Sequence, residues 1–472
     1  ALELRGVPPL KLKTAAPQPC GLKGMKMKPG NNEAPMKNDN FLRDRRDFLR
    51  VGVGGAGCSM VLGWATGDST TSLQAQDANR GKTVVGGAQP WQKGKAKNCI
   101  LVWLGGGPSQ LDTWDPKPDH ANGGGTKGID TAGSFQVAEH YPGVAAESKD
   151  VCLVRSLTSP EGDHSRGSYL MHTGYRMTGA ITHPSFGALV AKELGKENSD
   201  LPHFVSIGGG SYGPGYLGVR YGPFQVGNPS RPVPYMQYPG DVDKGRFNTR
   251  LGLLGMLDNK YLSSKRGEFL AGHRTVRKKA LRLLDSPSAK VFDVRKEPES
   301  VRKEFGLNNF GLQALMAARL VQKGVPFVEM NLGGWDTHTN NLNAVTARAA
   351  ILDPALSGLM KELRTRGLLD STLIVCMGEF GRTPKVNRNN GRDHFPRCFS
   401  ALVAGGGVNG GTVIGSSSND GQEVKNRPVY IGELYATLLS MLKINPVKEN
   451  KLAIGRAIKM AESDEPVTEM FI

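Results

Sequence analysis

The sequence predicts an α/β fold, a mostly parallel sheet covered by helices on both faces, and three observations carry that prediction. Short apolar runs without alternating polar positions recur along the chain, as expected of strands buried on both sides. Segments with helical periodicity separate them, which implies right-handed crossovers between parallel strands. Glycine clusters such as Gly105-Gly106-Gly107, Gly208-Gly209-Gly210 and Gly405-Gly406-Gly407 stand where the apolar runs stop, and read as loops at strand ends.

The elements follow in order. Asn98 to Leu104 (NCILVWL) is the first strand, and Val151 to Arg155 (VCLVR) the next after a glycine-rich stretch. Helices are expected at 165–173 and 185–194, and a strand at Phe204 to Ile207. The Pro-, Gly- and Tyr-rich stretch 211–240 reads as a long surface excursion. From about 244 to 323 charged residues interleave with Leu, Val and Met in a helical pattern closed by Leu312 to Lys323. Strand Pro326 to Met330, helix Asn341 to Thr365, strand Thr372 to Cys376, strand Ser400 to Ala404 and helix Ile431 to Leu442 complete the alternation. No internal repeat is present.

With 472 residues, 38% hydrophobic and 22% charged, the chain can bury a sizeable core and is not disordered by composition. The formal charge of +17 is spread along the chain without a long Lys/Arg run, which argues against nucleic acid and fits an acidic small substrate or an anionic polymer. The six cysteines lack the spacing of a zinc knuckle or a redox dithiol, and Cys99, Cys152 and Cys376 lie in apolar runs where buried free thiols are expected.

Residues 1–78 read as a leader followed by an export signal. Arg45-Arg46-Asp-Phe-Leu-Arg precedes the weakly apolar run Val51 to Trp64, the pattern of a twin-arginine signal. The run is too short for a stable transmembrane span, which needs about 20 apolar residues. Cleavage is expected near Ala75 or Ala78, with lipid attachment at Cys58 as the alternative. The expected partner of this segment is the twin-arginine translocation machinery, and the expected location is the periplasm or another exported compartment. Such export carries folded cargo and agrees with a metal acquired beforehand.

In parallel sheets the functional crevice lies beyond the carboxyl ends of the strands, and there the chain concentrates metal-capable side chains. Ser109, Asp112 and Asp115 follow the first strand, and Glu161-Gly162-Asp163-His164-Ser165-Arg166 the second. Asp336 and His338 follow the strand at 326, Glu379 and Arg382 the strand at 372, and Asp393-His394 lies before the strand at 400. Carboxylates and imidazoles are the donors a divalent ion needs, with Zn, Ca and Mg all open, and such an ion polarises an ester or acidifies bound water. Each pair alone can equally cap a turn. Arg166 and Arg382 can hold an anion through paired donors or form ordinary ion pairs. The Gly105-Gly106-Gly107-Pro108 loop lacks the residues of a nucleotide-binding loop.

Five segments also carry a family resemblance: GGGPSQLDTWDPKP (105–118), His164 with Thr173-Gly174, GWDTH (334–338), GEFGRTP (378–384) and GRDH (391–394). With them the chain resembles, over about residues 97–445, the exported family called domain of unknown function 1501, described as sulfatase-like. The resemblance implies an alkaline-phosphatase-like fold, with 446–472 as a C-terminal tail. Counting back from Thr173-Gly174 puts His164 where sulfatases carry a modified cysteine, and no Cys-x-Pro-Ser-Arg segment occurs in the chain. The superfamily's late Asp-His-Gly stands here as Glu379-Phe380-Gly381.

Two functions follow as expectations. One is an exported metal-dependent hydrolase of sulfate or phosphate esters, with Asp112, Asp336, His338, Glu379, Asp393 and His394 as ligands and His164, Ser165 and Arg166 at the catalytic position. The other is a non-catalytic relative that binds an anionic glycan or a partner protein in the same crevice.

Overall fold

The computed structural model describes residues 94–472 except 239, 263–266 and 453. Residues 1–78, read from the sequence as a leader and twin-arginine signal, lie outside the described residues. A nine-stranded sheet dominates. Its strands are β1 (Asn98–Gly105), β2 (Val151–Thr158), β3 (Phe204–Ile207), β4 (Phe224–Val226), β5 (Phe327–Gly333), β6 (Thr372–Met377), β7 (Phe399–Gly405), β8 (Thr412–Ile414) and β9 (Val429–Tyr430). They run in the order β8-β2-β7-β6-β1-β5-β3-β4, with β9 paired beside β2.

Every pairing in this sheet is parallel except those of β7, which lies antiparallel to both β6 and β2. The α/β class with a mostly parallel sheet is therefore what the chain has, with one reversed strand inside it. Periodicity cannot reveal that reversal, because a doubly buried strand reads the same in either direction. A second difference concerns 211–240, read as a surface excursion: it supplies the short edge strand β4, parallel to β3.

The two faces of β1 explain its uninterrupted apolar run. Ile100, Val102 and Leu104 enter one core, built with helices α5 (Asn309–Gln322) and α6 (Asn341–Thr365). Cys99, Leu101 and Trp103 enter the other, built with α1 (His164–Thr173), α2 (Phe186–Leu194) and α7 (Ile431–Met441). Each such side chain, fully buried, contributes about 1.5–3 kcal/mol. Aromatic rings knit the second core: Phe327 meets Phe204 at 5.0 Å and Phe186 at 5.7 Å, both edge to face. The segment 446–472 is not separate from the domain, since Met460, Ala461, Val467 and Met470 are buried in the second core. Two further helices, α3 (Lys244–Leu262) and α4 (Gly267–Asp285), precede α5 in the chain.

Cys99, Cys152, Cys376 and Cys398 are free and buried. Burial pushes the Cys152 thiol up to about 11 and Cys398 up to about 12.

Candidate functional site

The carboxyl ends of β1, β2, β5 and β6 lie on one edge of the sheet, and the chain between β6 and β7 returns to that edge because β7 is reversed. Helix α1 starts there. Asp163 caps it, accepting the backbone N–H of Arg166 at 3.1 Å, and His164 is its first residue. The 334–338 loop is pinned by fully buried Trp335, whose backbone N–H donates to the Gly105 carbonyl at 3.2 Å. Glycine is required at two points of close approach: a Cβ on Gly106 would collide with the Asp336 backbone N, and one on Gly391 with the His338 carbonyl.

Three imidazoles face one carboxylate at this edge. Asp336 turns Oδ2 toward His164 Nε2 at 3.4 Å, and Oδ1 toward His338 Nε2 at 3.1 Å and His394 Nε2 at 3.4 Å. The Nε2 atoms of His338 and His394 stand 3.1 Å apart. His164, Asp336 and His394 each offer a ligand atom within 4.8 Å of the others.

Each imidazole is held from behind through its other nitrogen. His164 Nδ1 lies 2.7 Å from Glu379 Oε1, an oxygen that also accepts the Gly106 N–H at 2.9 Å. His338 Nδ1 lies 2.7 Å from Asp393 Oδ1, and His394 Nδ1 lies 2.9 Å from the Gly162 carbonyl. All three partners are acceptors, so an N–H at Nδ1 of each ring satisfies them and turns Nε2 toward the centre. Phe380 packs against the rings of both His164, at 5.1 Å, and His394, at 4.6 Å, which themselves lie 4.3 Å apart.

Charge is arranged around this centre. Arg382, fully buried, donates from Nε to the Gly107 carbonyl at 2.9 Å and from Nη1 to the Arg392 carbonyl at 3.0 Å, and from Nη2 to Asp336 and the Gly106 carbonyl. Burial works against the Asp336 charge, but the hydrogen bond and charge of Arg382 outweigh it and hold that carboxyl below its ordinary range. The hydrogen bond from His338 does the same for Asp393. Burial lowers His394 below the ordinary histidine value and keeps it neutral near pH 7.

The residues expected from the sequence thus divide. Asp336, His338 and His394 meet at the centre, joined by His164. Glu379 and Asp393 stand behind His164 and His338. Asp112 lies outside this cluster in a buried network: it accepts hydrogen bonds from Ser109 Oγ at 2.5 Å, Asn341 Nδ2 at 2.8 Å, Arg392 Nε at 2.9 Å and Thr126 Oγ1 at 2.5 Å. Ser165 is exposed on the first turn of α1, where its carbonyl accepts from Tyr212 Oη at 3.4 Å. Arg166, also exposed, pairs through Nε with Glu161 at 2.9 Å. Sequence reasoning gave no role to Gly162, whose carbonyl orients His394, or to Arg392, whose guanidinium is spent inside the protein on Asp112 and backbone carbonyls. A carbonyl carries no residue-type signal, and an arginine's partner 280 positions away leaves none either.

Comparison with known proteins gives one sequence match. The family described as "Protein of unknown function (DUF1501)" matches residues 96–471. No curated protein matches. Similar solved structures include the lipoteichoic acid synthase LtaP from Listeria monocytogenes (10% identity, TM-score 0.36, covering 79% of this chain and 76% of that one). They also include the PsFucS1 sulfatase from Pseudoalteromonas sp. (14%, 0.33, 75% and 68%) and an alkaline phosphatase from the Antarctic bacterium TAB5 (13%, 0.31, 70% and 96%).

Proposed function

The chain belongs to the DUF1501 family, and we propose that it is a metal-dependent hydrolase of sulfate or phosphate esters acting outside the cytoplasm. One observation carries the metal: the Nε2 atoms of His338 and His394 and the Oδ1 of Asp336 stand 3.1–3.4 Å from one another, with His164 Nε2 at 3.4 Å from the other Asp336 oxygen. With both Nδ1 atoms engaged from behind, a cation between the two Nε2 atoms, 3.1 Å apart, would relieve the repulsion of their lone pairs. The spacings of 3.1–3.4 Å among His338 Nε2, His394 Nε2 and Asp336 Oδ1 also match the edges of a tetrahedral site, which at metal–ligand distances near 2.0–2.1 Å are about 3.3–3.4 Å. An imidazole-rich donor set favours zinc over calcium or magnesium.

A divalent ion in this place supplies a Lewis acid for the ester and acidifies bound water. The protein supplies the rest. Glu379, Asp393 and Gly162 fix the imidazoles in one tautomer, and Arg382 keeps Asp336 ionised. With His164 turned into the cluster, the neighbouring Ser165 hydroxyl is the candidate nucleophile. Arg166, at the exposed start of α1, is the candidate anchor for the anionic ester, exchanging Glu161 for substrate. The anionic substrate class, a small molecule or a sulfated or phosphorylated polymer, is also supported by the +17 charge. Export rests on the twin-arginine segment. Among the described residues no helix is long and apolar enough to cross a membrane.

The test is the metal content of the purified protein beside an Asp336→Ala/His338→Ala double variant, followed by a screen of sulfate and phosphate esters. Near-stoichiometric metal that the variant loses, with ester turnover that Ser165→Ala and Arg166→Ala weaken, is expected. Absence of metal from both proteins would overturn the reading in favour of a non-catalytic binding protein.

A further inference from the structure

Helices α3 and α4 stand apart from the imidazole cluster in composition and burial. Residues 244–285 hold eleven lysines and arginines against three carboxylates. None of the described residues of α3 is buried, although the helix is 19 residues long and contains Gly245, Gly252 and Gly255. Glycine weakens a helix, and helices in proteins draw most of their stability from an apolar face packed on a partner. The half-buried positions Phe247, Leu251, Gly255 and Asp258 lie on one side, where Asp258 pairs with Arg277 of α4.

The other side is apolar and uncovered. Leu253 is 58% exposed, Met256 72% and Leu257 60%. Helical spacing places Arg246, Arg250, Leu253 and Leu257 on one stripe, and both arginines are exposed. An apolar patch continuous with cations is what an interfacial helix presents to a bilayer: leucines enter the acyl boundary while arginines stay at the headgroups. A second copy of the chain fits less well, because it would bring the same excess of positive charge against itself, whereas anionic headgroups neutralise it.

We propose that the outer face of α3 docks the protein on an anionic lipid surface as a peripheral membrane protein, through Leu253, Met256 and Leu257 with Arg246 and Arg250 at the headgroups. The experiment is sedimentation of the full chain with phosphatidylcholine vesicles that contain or lack phosphatidylglycerol. Leu253→Asp/Leu257→Asp and Arg246→Glu/Arg250→Glu are compared with the parent; every protein keeps residues 1–93, so differences report on α3 alone. The parent is expected to bind the anionic vesicles, less so at high salt, and each variant to bind roughly tenfold more weakly with unchanged circular dichroism. The arginine variant removes no packed side chain, and so tests the proposal even where the aspartates disturb the helix. Equal binding by parent and variants, equal binding to neutral vesicles, or no binding at all would overturn it. So would loss of an oligomer in the leucine variant without vesicle binding, which would assign the face to a second copy.

Discussion

Glu379 gives the sharpest test of how the imidazole cluster works, because one of its oxygens serves two donors at once. Oε1 accepts His164 Nδ1 at 2.7 Å and the Gly106 N–H at 2.9 Å, with the side chain only 3% exposed. Partners that orient metal-bound histidines typically contribute 10- to 100-fold in metal affinity. Glu379→Gln keeps an acceptor oxygen in place and removes only the charge, so its cost belongs at the lower end, about tenfold or ~1.4 kcal/mol. Glu379→Ala releases His164 and orphans a backbone N–H, so affinity should fall about a hundredfold and folding stability by about 1–3 kcal/mol. Competition of the protein with a chromogenic zinc chelator measures the first quantity, and urea unfolding of the metal-free protein the second. A graded series, parent above Gln above Ala, is expected. If both variants held metal as tightly as the parent, His164 would not belong to the donor set and the argument from tautomers would fail.

Three other outcomes follow from the same geometry. Lowered pKa values at His394, Asp336 and Asp393 all mean that the folded state binds fewer protons than the unfolded chain. Their contribution to stability is therefore full above the ordinary histidine value of about 6.5 and is lost as pH falls, first through His394 and then through the carboxylates; thermal melts of the metal-free protein across this range should show the decline, and metal affinity should fall with it. Arg392→Met leaves Asp112 charged and buried, so the variant should lose about 3–5 kcal/mol by denaturant titration, far more than removing an exposed arginine such as Arg388 would cost. The four described thiols should resist a water-soluble disulfide reagent in the native protein at pH 8 and react together on unfolding, since burial raises the pKa of each.

Much of the fold was legible because burial on both faces leaves a plain mark. Phe204–Ile207 and Asn341–Thr365 have the bounds read from their apolar runs and periodicity. The direction of β7 was not legible, since Ser400 to Ala404 would look alike in a parallel strand. At the site, residue type and position after a strand drew attention to Asp336, His338 and His394, but neither says which lone pair points where. Hence Glu379 and Asp393, grouped with the ligands by type, stand behind the rings, and Asp112 is engaged by a guanidinium that no local pattern ties to it. His164 illustrates the converse: a count along the helix placed it in the slot where sulfatases carry their nucleophile, and the structure sets its Nε2 3.4 Å from Asp336 with its Nδ1 on Glu379.

The reversed strand β7 has a consequence for how such a site can be altered. Because β6 leaves the sheet and β7 re-enters it at the same edge, the chain from Gly378 to Cys398 never crosses to the other side. That one stretch contributes Glu379, Arg382, Arg392, Asp393 and His394. It is a cassette set into the frame: both its ends join the sheet at one edge, so a change in it need not alter any strand order. Grafting 378–398 between relatives should therefore move donor geometry as a unit, provided the host matches His164, Asp336 and His338 and the frame groups that hold the stretch, Asp112 for Arg392, Gly162 for His394 and the Gly106-Gly107 backbone for Glu379 and Arg382.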